Sequence, residues 1–535
     1  MTRFSRILIT GAALATLIMA APAMAATPDD QLIIGTSLAQ VLSLDPQQAT
    51  EVKAQEILAN TYDRLVHFTG TSGTDGSTIK PQLAESWEID ATGITFLLRD
   101  AEFASGNPVT SDDVVFSLVR LLKLELSSAS SLKTFGYNAD NIESMVSALD
   151  SKTVRIELTD DITAESLLYR LAGGFASIVD SVEVQKHVSN GDYGNEWLRT
   201  NTAGSGPYVL RRWAPNEIVM LEANEQFWGG PTAMRRVIFR HTPESQAARL
   251  MLERGDIDIA NALTAADVAN FANKDGFEID RVKTGGFYML AMNAGKEPLD
   301  NPLVREAIAH GIDYQGIAQT ILGPYGRARN VPVPEDIEGA IANPDWSLQP
   351  EKARQLLAEA GYPEGFSLTL KTISETPRVD MATAIQANLA EIGITVRIQQ
   401  GNGSDIIASH RARDFELLIP QTSSGEPTAL GSIDSFTNNP DNSLEANNAG
   451  NNVWRSAWDI PELHELRGAA NRERDVAKRL DMVRLLQEMF IEQKPAVLPM
   501  FERFEPIVVN AKVQGYSGHP RSLTRLDGVT KSDVD

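Results

Sequence analysis

The chain has 535 residues and no cysteine. This absence excludes disulfide bonds, thiolate metal sites and cysteine nucleophiles, and it excludes a lipoprotein anchor, which needs a cysteine at its cleavage site. Histidine is scarce as well: none of the seven histidines stands near another at metal-ligand spacing, and no His-Glu-x-x-His sequence occurs. We therefore predict no metal and no cofactor, although the fold could still gather distant histidines around a metal ion.

Long apolar runs are missing after residue 25. Arg3 and Arg6 precede an apolar stretch over residues 7–21, and Ala23-Met24-Ala25 follows the small-x-small rule of a cleavage site. A stretch of about 15 residues is short for a membrane span. We predict a cleaved signal peptide over residues 1–25 and no stable membrane insertion.

The chain has fewer basic than acidic residues, with 48 Lys and Arg, 71 Asp and Glu and a formal net charge of −23. Removal of residues 1–25 deletes two basic residues and changes the net charge to −25, because 46 basic residues then face 71 acidic ones. Such a surface argues against nucleic acid or anionic lipid as a partner. An exported, unanchored chain without disulfides fits the periplasm of a Gram-negative bacterium, where we expect a monomer.

Alternating and helical apolar patterns follow each other along the chain and indicate an α/β protein. The length requires at least two domains. The clearest unit begins with a helix at Pro350, then a strand over 367–371, a second helix and a strand over 395–398. Such a unit predicts a right-handed parallel crossover, with 415–419 as a further strand of the same sheet. No low-complexity linker occurs, so we expect packed lobes that are interwoven in sequence.

Two turn motifs lie close together in the middle of the chain. Residues 202–208 read Thr-Ala-Gly-Ser-Gly-Pro-Tyr, and residues 224–230 read Asn-Glu-Gln-Phe-Trp-Gly-Gly. Glycine allows positive φ and proline fixes φ, so the first motif predicts a tight loop before the strand that starts at Tyr208. Its Gly-Ser-Gly-Pro order differs from a Gly-x-Ser-x-Gly nucleophile elbow, and its proline prevents the strand-turn-helix geometry of that elbow.

The two motifs and several others resemble, in order, the large extracytoplasmic solute-binding proteins of peptide, opine and nickel ABC importers (family 5, dipeptide- and oligopeptide-binding proteins). Together the matching segments extend over nearly the whole mature chain. They are Leu44-Asp45-Pro46, 83–87, 106–113, 204–208, 224–230, 255–258, 304–307 with Ile312-Asp313, and 353–361.

The resemblance implies a two-lobed periplasmic-binding-protein fold (Venus flytrap, type II, cluster C) with an extra subdomain in lobe one. Lobe one would comprise residues 26–285 plus 499–535, with the subdomain at about 47–195, and lobe two residues 286–498. A hinge is expected near Gly285-Gly286 and near Leu498-Pro499. The lobes would close over a small-molecule or peptide ligand, and the closed form would dock on ABC permease subunits.

In relatives that bind peptides, lobe two carries a tryptophan and, three residues later, an aspartate that pairs with the terminal ammonium. In this chain Pro420 stands at the tryptophan position and Ser423 at the aspartate position. A serine cannot neutralise a buried ammonium. Either the ligand lacks a free ammonium and is recognised through Gln421, Thr422 and Ser423, as a peptide derivative, opine or sugar conjugate would be, or Glu426 replaces the aspartate after a shift in register.

Four further residues are candidate ligand contacts. In some relatives arginines near Arg411 and Arg413 meet a ligand carboxylate, although both could equally be solvated surface residues. Gln40 and Ser43 lie in the first strand-to-helix loop, from which they could face the cleft or serve as ordinary loop residues.

Two other functions compete with solute binding. An exported hydrolase of peptides or glycosides would need an activated nucleophile or a metal, and the sequence indicates neither, so we predict no enzyme. A periplasmic sensor or chaperone-like binder would report to a receptor instead of a permease, and the sequence hardly separates this function from transport.

Overall fold

A computed structural model describes residues 27–39, 41–69, 78–133, 135–160, 162–422, 428–446, 448–449 and 451–532. The predicted signal peptide lies outside the described residues.

The strands are β1 Gln31–Thr36, β2 Val66–Thr69, β3 Thr78–Pro81, β4 Ala84–Ile89, β5 Gly93–Leu98, β6 Val146–Ala148, β7 Thr153–Glu157, β8 Tyr208–Ala214, β9 Ile218–Ala223, β10 Arg236–His241, β11 Ile259–Ala260, β12 Phe277–Met292, β13 Gly326–Ala328, β14 Phe366–Ile373, β15 Ile394–Gly401, β16 Leu417–Leu418, β17 Val497–Asn510, β18 Val513–Gln514 and β19 Thr530–Lys531.

The α-helices are α1 Val52–Thr61, α2 Ser111–Lys123, α3 Ser130–Lys133, α4 Ile142–Met145, α5 Ala164–Leu171, α6 Ser181–Gln185, α7 Asn195–Leu198, α8 Ser245–Arg254, α9 Ala265–Ala269, α10 Pro302–His310, α11 Tyr314–Ile317, α12 Pro350–Glu359, α13 Arg378–Glu391, α14 Gly403–Arg411, α15 Ala429–Thr437, α16 Asn452–Arg455, α17 Pro461–Arg472 and α18 Val476–Glu492. Single turns of 3₁₀-helix occupy Ser127–Ala129, Gly174–Ala176 and Gly323–Tyr325, and a π-helical turn occupies Ala318–Leu322.

One large mixed sheet runs through the molecule in the order β15-β14-β16-β12-β17-β11-β1-β10-β9-β8, with β13 beside β17. It contains two groups of parallel strands. Strands β1, β10 and β11 form the parallel part of the first lobe, which β9 and β8 extend. Strands β14, β15 and β16 form the parallel part of the second lobe. The architecture is therefore two-lobed, and the predicted parallel crossover β14-α13-β15 is confirmed.

The two groups are joined by a long antiparallel pair, β12 and β17. β12 has 16 residues, and its apolar second half, from Phe287 on, follows a first half that is rich in charged residues. The pairing is interrupted between Lys283 and Phe287 and again between Tyr288 and Met289. Gly285 lies within the first interruption with φ +64°, a conformation that glycine adopts at little cost.

A separate four-stranded sheet, in the order β4-β5-β7-β6, carries helix α2 on one face and forms the extra subdomain. Its core contains Phe96, Val114, Leu118 and Val154. A capping box starts α2, because the Asp113 carboxylate accepts a hydrogen bond from the Thr110 backbone N–H at 2.9 Å.

The glycines of the first turn motif allow two chain segments to touch. A Cβ on Gly204 would lie 2.2 Å from the Thr61 carbonyl oxygen, and one on Gly206 would lie 2.6 Å from the carbon of that carbonyl. Ser205 of this motif and Trp228 of the second motif both donate to the buried Asp63 carboxylate, at 3.1 and 2.9 Å. The motifs therefore hold the end of α1 against the sheet, and their role is structural.

Candidate ligand-binding site

Ligands of open α/β sheets bind outside the carboxyl ends of the strands. In the first lobe β1 ends at Thr36 and β11 at Ala260, and in the second lobe β14 ends at Ile373 and β16 at Leu418. The Tyr325 hydroxyl, next to β13, donates to the Leu263 carbonyl in the loop that follows β11. The loop after β11 therefore contacts the second lobe, and the strand ends beside this contact are the candidate location of a site.

The first lobe presents two neutral polar side chains at its strand ends. Gly35 and Ala260 are register partners, so Thr36 and Asn261 follow at one level on neighbouring strands. Both are almost fully buried, at 0% and 1% exposure. No other described residue forms a hydrogen bond with the Thr36 hydroxyl or with either polar atom of the Asn261 amide. Each orphaned group costs about 1–3 kcal/mol, a cost that a bound polar molecule would remove.

The second lobe presents a guanidinium at the same kind of position. Arg378 is the first residue of α13, five residues after β14, and its Nη2 donates to the Gln421 side-chain oxygen at 2.7 Å. Arg378 is 8% exposed. Burial lowers its pKa, Glu375 opposes this effect, and the nearby Arg503 adds to it.

The Gln421–Thr422 segment extends the sheet beyond β16. Gln421 forms an isolated bridge with Tyr288. The Thr422 backbone N–H donates to the Phe287 carbonyl at 2.9 Å, and the Thr422 hydroxyl accepts from the Phe287 N–H at 3.0 Å. The crossing strand β12 therefore holds this segment in place.

A second guanidinium converges on the same segment from β17. Arg503 donates from Nη1 to the Thr422 carbonyl at 3.1 Å, and its guanidinium lies 5.3 Å from the centre of the Tyr288 ring. Its buried Nε has no hydrogen-bond partner in the described parts of the chain. We call Tyr288, Arg378, Gln421, Thr422 and Arg503 the cationic corner.

The charge of this corner is only partly balanced. Glu375 lies 3.3 Å from Arg378, but its side chain is 58% exposed to solvent. Among the residues that the structure describes, two guanidiniums thus face one solvated carboxylate, and an exposed ion pair contributes little. Guanidinium groups bind carboxylates through paired, charge-assisted hydrogen bonds. The corner can therefore bind a carboxylate.

Of the predicted ligand contacts, the structure brings Gln421 and Thr422 together in this corner. Gln40, Ser423 and Glu426 lie outside the described residues, and their contact with a ligand stays a prediction. Ser43 is buried in its own turn, where its hydroxyl accepts from the Asp45 N–H at 3.1 Å and donates to the Gln48 side chain at 3.0 Å.

The two predicted arginines also have other surroundings. Arg413 stacks on Trp454 at 3.9 Å and donates to the carbonyl and side-chain oxygens of Asn442, both at 3.1 Å. Arg411 ends α14 with an exposed side chain. Because local contacts account for Ser43 and Arg413, and Arg411 is solvated, we leave all three out of the proposed site.

Thr36, Asn261, Arg378 and Arg503 are the site residues that sequence reasoning missed. Thr36 is the last residue of β1, and Asn261 and Arg378 follow the ends of β11 and β14, so the rule on carboxyl ends could have found them. Arg503 sits inside a long strand, and only the pairing of β17 with β12 places it here.

In the described part of the chain no group of three or more His, Asp or Glu side chains is arranged to hold a metal ion. No helix among these residues has the length and apolar character needed to cross a bilayer.

Comparison with known proteins decides the family. The profile described as "Bacterial extracellular solute-binding proteins, family 5 Middle" matches residues 78–443. The chain belongs to this family. This family 5 chain is similar to the probable D,D-dipeptide-binding periplasmic protein of Escherichia coli (strain K12). The two are 28% identical over 503 residues, which cover 93% of each chain. The family description and the name of this relative are those of binding proteins, so this family 5 chain is a solute-binding protein.

Solved structures confirm the predicted two-lobed fold. The periplasmic binding protein DppA of Helicobacter pylori, in complex with the peptide STSA, gives a TM-score of 0.75 at 24% identity over 94% of this chain and 98% of that chain. AgaA of A. tumefaciens R10, in complex with agropinic acid, gives 0.73 at 23% identity over 94% and 99%.

Proposed function

We propose that this family 5 protein captures a peptide-like solute that carries a carboxylate and no free ammonium, such as a peptide derivative or an opine. It binds the solute between its lobes in the periplasm and delivers it unchanged to an ABC permease. The convergence of Arg378 and Arg503 on the Gln421–Thr422 segment is the observation that carries this proposal.

The corner favours an anion for electrostatic reasons. The Arg378 guanidinium is largely desolvated, and the buried Arg503 Nε–H is still available for a hydrogen bond. A ligand carboxylate would restore the lost interactions of both groups, whereas a ligand ammonium would be repelled by them. Ser423, at the position where peptide-binding relatives have an aspartate, supplies no charge for an ammonium.

Closure follows from the placement of polar groups on both lobes. A solute held by the cationic corner could offer its amide groups to Thr36 and Asn261, which need hydrogen-bond partners. Such a solute binds the closed state better than the open state and shifts the equilibrium toward closure by that difference.

The lobe boundaries belong to the same proposal. Residues 26–285 plus 499–535 would move against residues 286–498, and the subdomain at about 47–195 would move with the first lobe. The interruption of the β12–β17 pairing around Gly285 supports a hinge at this point.

Isothermal titration calorimetry on the mature protein tests the ligand class. The probes are Ala-Ala, N-acetyl-Ala-Ala and N-acetyl-Ala-Ala-amide, which differ only in their end groups. We expect binding of N-acetyl-Ala-Ala and at least tenfold weaker binding of its amide. Generic tight binding of free-amino peptides, with no dependence on the carboxylate, would contradict the proposal.

Two further measurements address transport itself. Mass spectrometry of the probe after overnight incubation should recover it intact, and cleavage would favour a hydrolase. Deletion of the gene should abolish uptake of whichever solute copurifies with the protein in native mass spectrometry. If the deletion strain takes up the solute normally but no longer changes its transcription in response to that solute, a sensor function would be favoured.

A further inference from the structure

A cavity of about 210 Å³ lies between the subdomain and the second lobe. Helix α5 forms one wall, and the starts of α15 and α18 form the other. The apolar side chains of its lining, which we call the apolar chamber, are Tyr169, Ile337, Leu430, Val476, Leu480 and Val483.

The chamber wall is only partly covered by protein. Val476, at the first turn of α18, is 55% exposed, and Leu480 one turn later is also partly exposed. Val483 closes the base and is buried in the core of the second lobe. The first half of α18 therefore directs apolar surface into the space between the lobes.

The chamber and the cationic corner are close neighbours. Val483 and Ala429, both in the lining, belong to the same packed cluster as Phe287. Phe287 accepts a hydrogen bond from the Thr422 backbone N–H and donates one to the Thr422 hydroxyl in the corner. Thr422 and Thr428, which also lines the chamber, are six residues apart, so a chain of at most ~20 Å spans the two sites.

Three charged side chains line the chamber: Arg479 and Glu165 pair with each other, and Glu338 is exposed to solvent. Arg479 of α18 pairs with Glu165 of α5 and donates to the Glu473 carbonyl at 3.0 Å. The pair separates the chamber from a second cavity of about 520 Å³, which both residues also line. The chamber therefore offers apolar surface beside one compensated ion pair and one solvated carboxylate, and unlike the corner it has no excess of positive charge.

We propose that the apolar chamber binds an uncharged apolar group, aliphatic or aromatic, of the solute whose carboxylate occupies the cationic corner. This inference rests on the proposed function and makes the solute bipartite. The chamber is smaller than the ~300–1,000 Å³ of a typical whole-ligand pocket, which suits one arm of a larger molecule. Because both lobes supply its walls, the apolar arm also favours the closed state.

Fluorescence titration with N-phenyl-1-naphthylamine, an uncharged aromatic probe, tests the chamber alone. We expect saturable binding of one probe per mature protein, with enhanced emission. Leu480→Gln should weaken it at least tenfold. Leu485→Gln is the matched control, because Leu485 lies on the same helix, is 46% exposed and is not part of the lining. Circular dichroism checks that both variants fold.

Competition with N-octanoyl-Ala-Ala and N-acetyl-Ala-Ala then links the chamber to the corner. The octanoyl compound should displace the probe, and the acetyl compound should not. Arg378→Gln should prevent this displacement and leave probe binding intact. If the octanoyl compound displaces the probe from the Arg378→Gln variant as well as from the wild type, while Leu480→Gln still weakens probe binding, the proposed carboxylate site is wrong and the chamber proposal stands. Absence of saturable probe binding, or equal weakening by Leu480→Gln and Leu485→Gln, would overturn the chamber.

Discussion

The side chains at the carboxyl ends of the parallel strands differ in charge between the two lobes. The first lobe presents the hydroxyl of Thr36 and the amide of Asn261, both neutral and without partners among the described residues. The second lobe presents the guanidinium of Arg378, supported by Arg503 from the crossing strand. An ion pair attracts a ligand more strongly than a neutral amide does. The second lobe should therefore bind the solute first, and the first lobe should complete its hydrogen bonds on closing.

Substitution of Arg378 tests the stronger half of this comparison. Arg378→Gln removes the charge and should weaken binding of N-acetyl-Ala-Ala by about 10- to 150-fold, since a hydrogen bond to a charged group contributes roughly 1.5–3 kcal/mol. Arg378→Lys should recover only part of this loss, because an ammonium cannot bind a carboxylate bidentately. Calorimetry measures both, with the exposed Arg397→Gln as control. Equal affinities for wild type and Arg378→Gln would remove the proposed asymmetry.

Acid should act on the second lobe through His410. This residue is 3% exposed, and burial lowers its pKa to about 3, with Arg455 and Arg411 adding to the effect. The folded protein thus keeps His410 neutral, while the unfolded chain takes up a proton below about pH 6.5. The stability contributed by the neutral imidazole is present at pH 7 and is lost as pH falls.

The loss should approach about 1.4 kcal/mol for each pH unit between 6.5 and the folded pKa. Urea unfolding at pH 7, 6 and 5 measures it. His410→Gln should flatten the pH dependence by that amount, and the half-exposed His187→Gln should not. Parallel curves for wild type and His410→Gln would show that His410 does not contribute to the acid sensitivity.

Asn261 should separate binding from stability in the first lobe. Asn261→Leu removes two buried polar atoms without partners and should leave the free energy of unfolding unchanged or higher, because it removes their desolvation cost. The same change should weaken solute binding by roughly 0.5–1.5 kcal/mol, which is about 2- to 13-fold. Calorimetry and urea unfolding together make the test, with the exposed Asn270→Leu as control. A fall in stability with unchanged affinity would assign Asn261 a structural role.

How well the sequence predicts an element depends on how far apart in the chain its interacting residues lie. The unit β14-α13-β15 was predictable because local signals mark it, such as Gly393, which follows the end of helix α13 and has φ +91°. The crossing pair was not, because Phe277 pairs with Asn510 from the far end of the chain and charged residues interrupt the apolar pattern of β12. Residues that converge only through such pairing are invisible to local reasoning.

The site divides in the same way. Gln421 and Thr422 were candidates from the resemblance, since the motif places them in a ligand loop, and their contact with a ligand stays a prediction. Arg378 reads as an ordinary first residue of a helix, and Arg503 as an ordinary strand residue; only the sheet brings them together. Ser43 and Arg413 carry the expected chemistry, but the Asp45 turn and the Asn442 loop use it locally.

The smallest expected effect concerns the ion pair that joins the lobes directly. Glu165 of α5 and Arg479 of α18 connect the subdomain to the second lobe, and the Glu165 side chain is 50% exposed. Such a pair contributes about 0.2–1 kcal/mol, so Glu165→Gln should shift the closure equilibrium only slightly toward the open form. Small-angle scattering at low salt should detect a larger radius of gyration in this variant, and 0.5 M NaCl should remove the difference by screening.

The exchanged pair, Glu165→Arg with Arg479→Glu, should restore the wild-type radius, since it keeps the attraction across the cleft. If the exchanged pair behaves like Glu165→Gln alone, charge attraction does not hold the lobes together here, and closure depends on the solute alone.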